Sequence, residues 1–349
     1  MHNLRALEGK VAVVAGATRG AGRGIAVELG AAGAKVYCTG RSIRGALATP
    51  GRSETIDETA DIVRQQGGQA IAVRVDYQVE SDVIAFADRL RHDEGVIDIL
   101  VNDIWGGEER IDWGARFLTL DVQLTRELLD QAVISHLMAA RHLAPLMVEA
   151  GHGLIAEVTD GESLGYRGHL LYDLIKSSLN RLAYAMAWDL AASGVTALAI
   201  SPGFLRSEAI LEKLGVTEGT WREINEDDLA TEHAGFQFSE SPRYVGRAIV
   251  ALAADADVHS KSGAALFVGD LAEEYGFTDV DGTTPHFWRG IDGWLEPHLS
   301  DGGRLPRKVW QVAAGRYQKI HLTPALTDQA RRYAARLGLR SLGRGLRPA

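Results

Sequence analysis

Val11-Ala12-Val13-Val14-Ala15-Gly16-Ala17-Thr18-Arg19-Gly20-Ala21-Gly22 is the stretch on which the fold of this chain turns. Its first five residues are a short apolar run of buried-strand length, and a glycine-rich turn ends it. Arg23 to Leu29 then continues with helical character. Strand, tight turn and helix in that order open a βαβ unit. Further buried-strand candidates lie at 35–39, 70–75, 97–101, 154–159, 195–200 and 265–268. Helical stretches at 55–65, 83–92, 128–149, 174–192 and 244–254 separate them. This alternation predicts an α/β fold, a Rossmann-type doubly wound parallel sheet with helices on both faces.

The chain has 349 residues, 46% of them hydrophobic and 24% charged, which is ordinary for a globular protein with a substantial core. A net charge of −9 argues against nucleic acid or an anionic membrane as a partner held by simple attraction. Cys38 is the only cysteine, so neither an intrachain disulfide nor a multi-cysteine zinc site can form. His136, His142 and His152 offer no ligand spacing, and no metal site is expected. The first ten residues lack the apolar core of a signal peptide, and no apolar run approaches the roughly 20 residues of a membrane span. The expected location is the reducing cytoplasm.

Two regions break the alternation. Residues 204–241 have no strand signal and carry Trp221, Phe236 and Phe238, as an insertion on the substrate side would. The acids Glu223, Glu226, Asp227 and Asp228 in it read as a solvated loop. From about Gly276 the rhythm ends, so residues 1–282 are read as the catalytic domain and 283–349 as a C-terminal extension. Its last part places Leu326, Ala330, Tyr333, Ala334 and Leu337 on one helical face and is rich in arginine, which fits a helix docked on its own subunit or a neighbour, a disordered end, or a weak membrane-surface contact.

A glycine turn before a helix lets the backbone approach a pyrophosphate, which meets free N–H groups and the positive end of the helix dipole. Gly16, Thr18, Arg19, Gly20 and Gly22 are the candidates here. An NAD site usually has an acid at the end of the second strand to hold the ribose 2′-hydroxyl. This chain has Gly40 there, followed by Arg41. Arg41 and Arg19 suit a 2′-phosphate through their planar forks, so NADP(H) is expected rather than NAD(H).

Tyr172 and Lys176 stand four apart, so on a helix they share a face with Cβ atoms about 5–6 Å apart. A fixed cation favours phenolate, and a tyrosine brought from roughly 10 toward 7 exchanges protons at neutral pH.

Ala15-Gly16-x-x-x-Gly20-x-Gly22, Asp76, Asn102, Tyr172-x-x-x-Lys176 and Pro202-Gly203 together resemble the short-chain dehydrogenase/reductase superfamily over about residues 8–275. The stretch 269–282 resembles a branch of it that carries a C-terminal extension. The resemblance implies hydride exchange between NAD(P)(H) and an alcohol or carbonyl compound. It implies Asp76 at the adenine, Asn102 by the adenine ribose, and Tyr172 as general acid/base. Lys176 would hold the nicotinamide ribose and lower the tyrosine pKa. Pro202, Gly203 and Ser207 would lie by the nicotinamide. It also implies a homodimer or homotetramer paired through helices 128–149 and 174–192.

The departures bear on mechanism. The family's Asn-Asn-Ala-Gly is Asn102-Asp103-Ile104-Trp105 here, read either as a tolerated change in strand-end packing or as Asp103 or Trp105 shaping the substrate mouth, with Trp113 and Trp221 as further aromatic candidates. The helical asparagine of the family's water relay falls at Ala132. The family's catalytic serine falls at Thr159 or Asp160, with Ser163 as a further candidate. Thr159 would keep the hydroxyl; an ionised Asp160 would oppose both alkoxide and tyrosinate. Two rival readings follow from these substitutions: a cofactor-binding regulator without turnover, and a lyase or isomerase on the same fold.

Overall fold

The computed structural model describes residues 5–161, 167, 169–224 and 235–291. Seven strands, β1 (Val11–Ala15), β2 (Lys35–Gly40), β3 (Gln69–Arg74), β4 (Ile99–Asn102), β5 (Gly153–Val158), β6 (Val195–Ser201) and β7 (Ala265–Phe267), form one sheet in the order 3-2-1-4-5-6-7. Every pairing is parallel. The expected doubly wound sheet is therefore present. Strand order reverses between β1 and β4, and at such a point the carboxyl ends of the strands open a crevice.

Side-chain alternation along the strands divides the core in two. Ala12, Val14, Ile99, Val101 and Ala156 pack on one face, whereas Val13, Ala15, Leu100 and Ile155 pack on the other. The first face is covered by α1 (Gly20–Ala31), α2 (Ile56–Gln65), a helix at Pro242–Ala254 and another at Val268–Tyr275. The second carries α3 (Glu80–Asp93) and the long helical segments that follow β4 and β5. Burial on both faces explains why the central strands read as nearly continuous apolar runs.

Helix starts differ from the sequence reading because capping groups lie further upstream than the apolar periodicity shows. The helix expected over 128–149 begins at Val122, where Asp121 accepts from the N–H groups of Gln123 and Leu124 at 2.8 and 3.0 Å. It runs as α4 (Val122–Leu129), a π-helical turn at Asp130–Ile134, and α5 (Ser135–Ala150). Ala132 lies on that π turn, a distortion that recurs at functional sites. The helix expected from 174 starts at Leu170, as α6 (Leu170–Asp189), which puts Tyr172 in its first turn.

The insertion 204–241 is clipped at its base. Leu205 and Glu240 form a parallel bridge, with Glu240 N–H on the Phe204 carbonyl and Arg206 N–H on the Glu240 carbonyl, both at 2.9 Å. Between them runs the short helix α7 (Glu208–Leu214). Of the four acids expected in a solvated loop, Glu223 is described and exposed; Glu226, Asp227 and Asp228 lie outside the described residues, as does the basic tail. Among the described residues no helix is long and apolar enough to cross a membrane.

Candidate active site

A cavity of about 600 Å³ occupies the crevice at the carboxyl ends of the strands. One half is walled by Gly16, Thr18, Arg19, Gly20, Arg41 and Asp76; the other by Trp105, Trp113, Asp160, Tyr172 and Lys176, with Pro202, Gly203 and Ser207 between. Residues spread over most of the sequence thus share one chamber.

The glycine turn is shaped by contact on one side and by open space on the other. Gly16 has φ +94°, and a Cβ there would stand 2.2 Å from the Asp103 carbonyl oxygen. Gly20 has φ +57° but faces the crevice, with nothing nearer than 3.9 Å to an added Cβ. Its N–H donates to Glu208 Oε2 at 2.8 Å, so a carboxylate already rests at the N-terminus of α1. A positive dipole end, open space and a carboxylate already held by the Gly20 N–H together fit the turn to a phosphate. Gly22 plays a different part: a Cβ on it would lie 2.3 Å from the Gly16 carbonyl oxygen, so it permits close packing and does not line the cavity.

At the end of β2, Arg41 donates to Gln78 Oε1 at 3.2 Å and Arg19 reaches Thr49 Oγ1 at 3.4 Å. Both guanidinium groups border the cavity, and Gly40 offers no carboxylate between them. Asp76 accepts from the Gln78 N–H at 3.1 Å on the same wall.

In the other half, the Tyr172 hydroxyl donates to Asp160 Oδ2 at 3.0 Å. The Thr159 hydroxyl instead donates to the Lys176 carbonyl at 2.8 Å, and the residue is buried. The chain leaves β5 so that Thr159 turns into α6 and Asp160 turns to the tyrosine. Thr159 is therefore not the hydroxyl that faces Tyr172, and Ser163 lies outside the described residues. Arg167 steadies the turn by donating to the Asp160 carbonyl, to Asp173 Oδ1 at 2.9 Å and to Ser177 Oγ at 3.0 Å.

The electrostatics differ from those expected. Burial raises the Tyr172 pKa well above the ordinary tyrosine value, and Asp160 and Glu108 push it the same way. Burial lowers the Lys176 pKa, against the pull of Asp103 and Asp160. Lys176 Nζ sits 5.0 Å from the Trp105 ring centre and 5.6 Å from that of Tyr172. The expected lowering of the tyrosine pKa by the lysine is thus outweighed by desolvation and by the Asp160 carboxylate.

Trp105 and Trp113 both lie against the Tyr172 ring, with centroids at 5.8 and 5.3 Å. Trp105 is held by its indole N–H on Glu108 at 3.1 Å. Trp221 is not part of this wall. It packs edge-on against Phe236 at 5.6 Å, under the Arg206 guanidinium, inside the insertion. Asp103 does line the cavity, and burial raises its carboxyl to about 6 despite the opposing Lys176 charge.

Asn102 also departs from expectation. Its amide donates to Glu157 Oε1 at 2.7 Å, and Glu157 also contacts His136 Nδ1 at 2.6 Å. These three side chains are fully buried beneath segment 103–105, and His136 Nε2 meets the Ile104 backbone there. The Asn102 side chain therefore points away from the crevice. A lone acid in the apolar run Leu154–Val158 was the sequence sign of this network.

Several residues escaped the sequence reading. Arg206 is buried and bonds Glu218, Asp279 and the Ser239 carbonyl. Glu240, also buried, is raised well above the usual carboxylate range by burial while receiving the Gly203 N–H. Phe287 and Trp288 line the cavity, and Phe287 packs on Gly203 so closely that a Cβ would lie 2.3 Å away. The site thus reaches past the expected boundary at 282.

The sequence profile described as short chain dehydrogenase matches residues 10–214. The chain belongs to the short-chain dehydrogenase family. Human dehydrogenase/reductase SDR family member 1 is 30% identical over 319 residues, covering 88% of this chain and 97% of that protein. This is the branch indicated by the stretch 269–282. Among solved structures, the hydroxysteroid dehydrogenase of Escherichia coli is similar with a TM-score of 0.59 at 27% identity, covering 76% of this short-chain dehydrogenase and 97% of that chain. A protein of Agrobacterium tumefaciens solved with bound NADP gives 0.57 at 25% identity, over 76% and 97% of the two chains.

Proposed function

We propose that this short-chain dehydrogenase is an NADP(H)-dependent oxidoreductase acting on a ketone, an aldehyde or a secondary alcohol, with Tyr172 as general acid/base. The observation that carries the reading is the Tyr172 hydroxyl opening into the same cavity as the glycine turn, with Lys176 one helical turn behind it. When bound, the nucleotide supplies or takes the hydride. Gly16, Gly20, Arg19 and Arg41 would hold its phosphates, Asp76 its adenine end, and Lys176, Pro202, Gly203 and Ser207 its nicotinamide end. Tyr172 passes a proton to or from the substrate oxygen, and Asp160 shares that proton from the other side. A raised tyrosine pKa keeps the phenol protonated at neutral pH, which suits carbonyl reduction better than alcohol oxidation. Trp105 and Trp113 would shape an apolar substrate mouth.

The direct test is a panel of carbonyls and alcohols with NADPH absorbance as the readout. Nucleotide binding without turnover on any of them would favour the regulator reading, which the carboxylate at Tyr172 and Ala132 on the π turn motivate. We further propose a cytoplasmic location and, because Leu137 and Val148 on α5 and Trp188 on α6 are exposed apolar side chains, a homodimer or homotetramer.

Arg41→Ala weakens NADPH binding about tenfold or more, the scale of a lost charge-assisted hydrogen bond, and leaves NADH nearly unchanged. Equal losses for both nucleotides in a fluorescence titration would remove the 2′-phosphate role. Asp160→Asn keeps an acceptor but removes a negative charge that favours the phenol, so the Tyr172 pKa falls. Alcohol oxidation, which needs the phenolate, then rises at lower pH, so the ascending limb of its pH–rate profile moves to lower pH. An unmoved limb in the pH–rate profile refutes this role for Asp160.

A further inference from the structure

Helix α7 carries two carboxylates that reach across the nucleotide crevice. Glu208 and Glu212 are four residues apart and so share a face of the helix. Glu208 Oε2 accepts the Gly20 N–H at 2.8 Å, and Oε1 lies 3.5 Å from Arg23 Nη1. Glu212 accepts from Arg52 Nη1 at 2.6 Å. Arg52 belongs to the loop between β2 and α2, is nearly buried, and also pairs with Glu54. The helix is thereby tied both to the N-terminus of α1 and to the loop whose Thr49 meets Arg19.

We propose that α7 is an anionic latch: in the free protein Glu208 holds the place of the nucleotide's diphosphate at Gly20 and is displaced when the nucleotide binds. The proposal rests on the nucleotide reading above. Its physical basis is that one N–H donor at a helix start cannot serve a carboxylate and a phosphate together, and two such anions side by side repel. Glu208 is the first residue of α7 and would favour that helix's own positive end wherever it pointed. Its position on Gly20 is thus an additional contact, and it can be given up without unwinding α7. Ser207, at the N-cap of α7, makes no side-chain capping bond, so its hydroxyl is not committed to the helix. Ala209 and Ile210 of the same helix line the cavity, so release of Glu208 also frees part of the substrate wall. The latch couples the two halves of the chamber and favours nucleotide binding before substrate.

The test uses the full chain and does not depend on turnover. Glu208→Gln removes the charge and keeps the shape. It should tighten NADPH and NADH alike, by about fivefold or more, the usual scale of a coupling between sites. Glu212→Gln, which releases only the Arg52 tie, should tighten both by less. In the nucleotide-free protein, amide hydrogen exchange over 208–214 should be faster in Glu208→Gln than in the parent. That difference should vanish at saturating NADPH, where Glu208 has already left Gly20. Unchanged or weaker nucleotide binding in Glu208→Gln overturns the latch, as does an exchange difference that survives saturation. Failure of every form to bind either nucleotide removes the nucleotide reading and the latch with it. Normal binding with no gain in Glu208→Gln removes the latch alone.

Discussion

Replacing Tyr172 by Phe lowers turnover by about 10²–10⁴-fold, the range spanned by loss of a general acid/base, and leaves NADPH affinity within about twofold. The ring should stay in place because it is wedged between Trp105 and Trp113, and only the hydroxyl on Asp160 is lost. Loss of the hydroxyl also frees Asp160 from its hydrogen bond without moving the backbone, since Arg167 holds the Asp160 carbonyl independently. The effect therefore falls on kcat and not on folding. Steady-state rates with direct nucleotide titration check it. Turnover within a few-fold of the parent would show that the proton comes from another group and would end the proposed mechanism.

Replacing Arg206 by Leu destabilises the fold by about 3–5 kcal/mol, as expected when one partner of a buried ion pair is removed. Arg206 is 1% exposed and lies 3.2 Å from Asp279 Oδ2, which is itself buried. It also binds Glu218 through two nitrogens and stacks 4.2 Å from the Trp221 ring centre. Asp279 keeps the N–H groups of Ser241 and Val280 at 2.8 and 2.7 Å, but its charge loses the opposing cation. Arg206 joins the insertion to the segment 269–282, so the variant should also loosen the wall that carries Ser207 and weaken nucleotide binding. Denaturant unfolding measures the first effect. A loss below about 1 kcal/mol would mean that the cluster is well enough hydrated to tolerate the change.

The fold was largely legible because its signal is local and repeated. Each strand is built on a mainly apolar run, each is followed by a helix, and the glycine turn marks the first crossover. Helix starts were less legible, since Asp121 and His169 set them through capping bonds and not through the apolar period. In the site, Tyr172, Lys176, Gly16, Gly20, Arg19, Arg41 and Asp76 could be named, because short-range spacing or the order of motifs identifies them. Arg206, Glu208 and Glu240 could not. They are charged residues in a segment without a strand signal, and nothing local tells a solvated acid from one held by a distant backbone N–H.

The amino-acid sequence by itself determined the parallel α/β architecture, the glycine turn at its first crossover, and the Tyr172–Lys176 pair on one helix face. These depend on side-chain period and on residues at most a few positions apart. Only the tertiary structure decided which side chain meets Tyr172. Thr159 and Asp160 are adjacent in the chain and both border the cavity, but the turn after β5 commits the Thr159 hydroxyl to the Lys176 carbonyl and brings the Asp160 carboxylate to Tyr172. It also decided the sense of the tyrosine's pKa, because desolvation and the Asp160 charge depend on distances across the fold. The ties from Glu208 to Gly20 and from Arg206 to Asp279 belong to the same class: each joins residues that only the folded chain brings together.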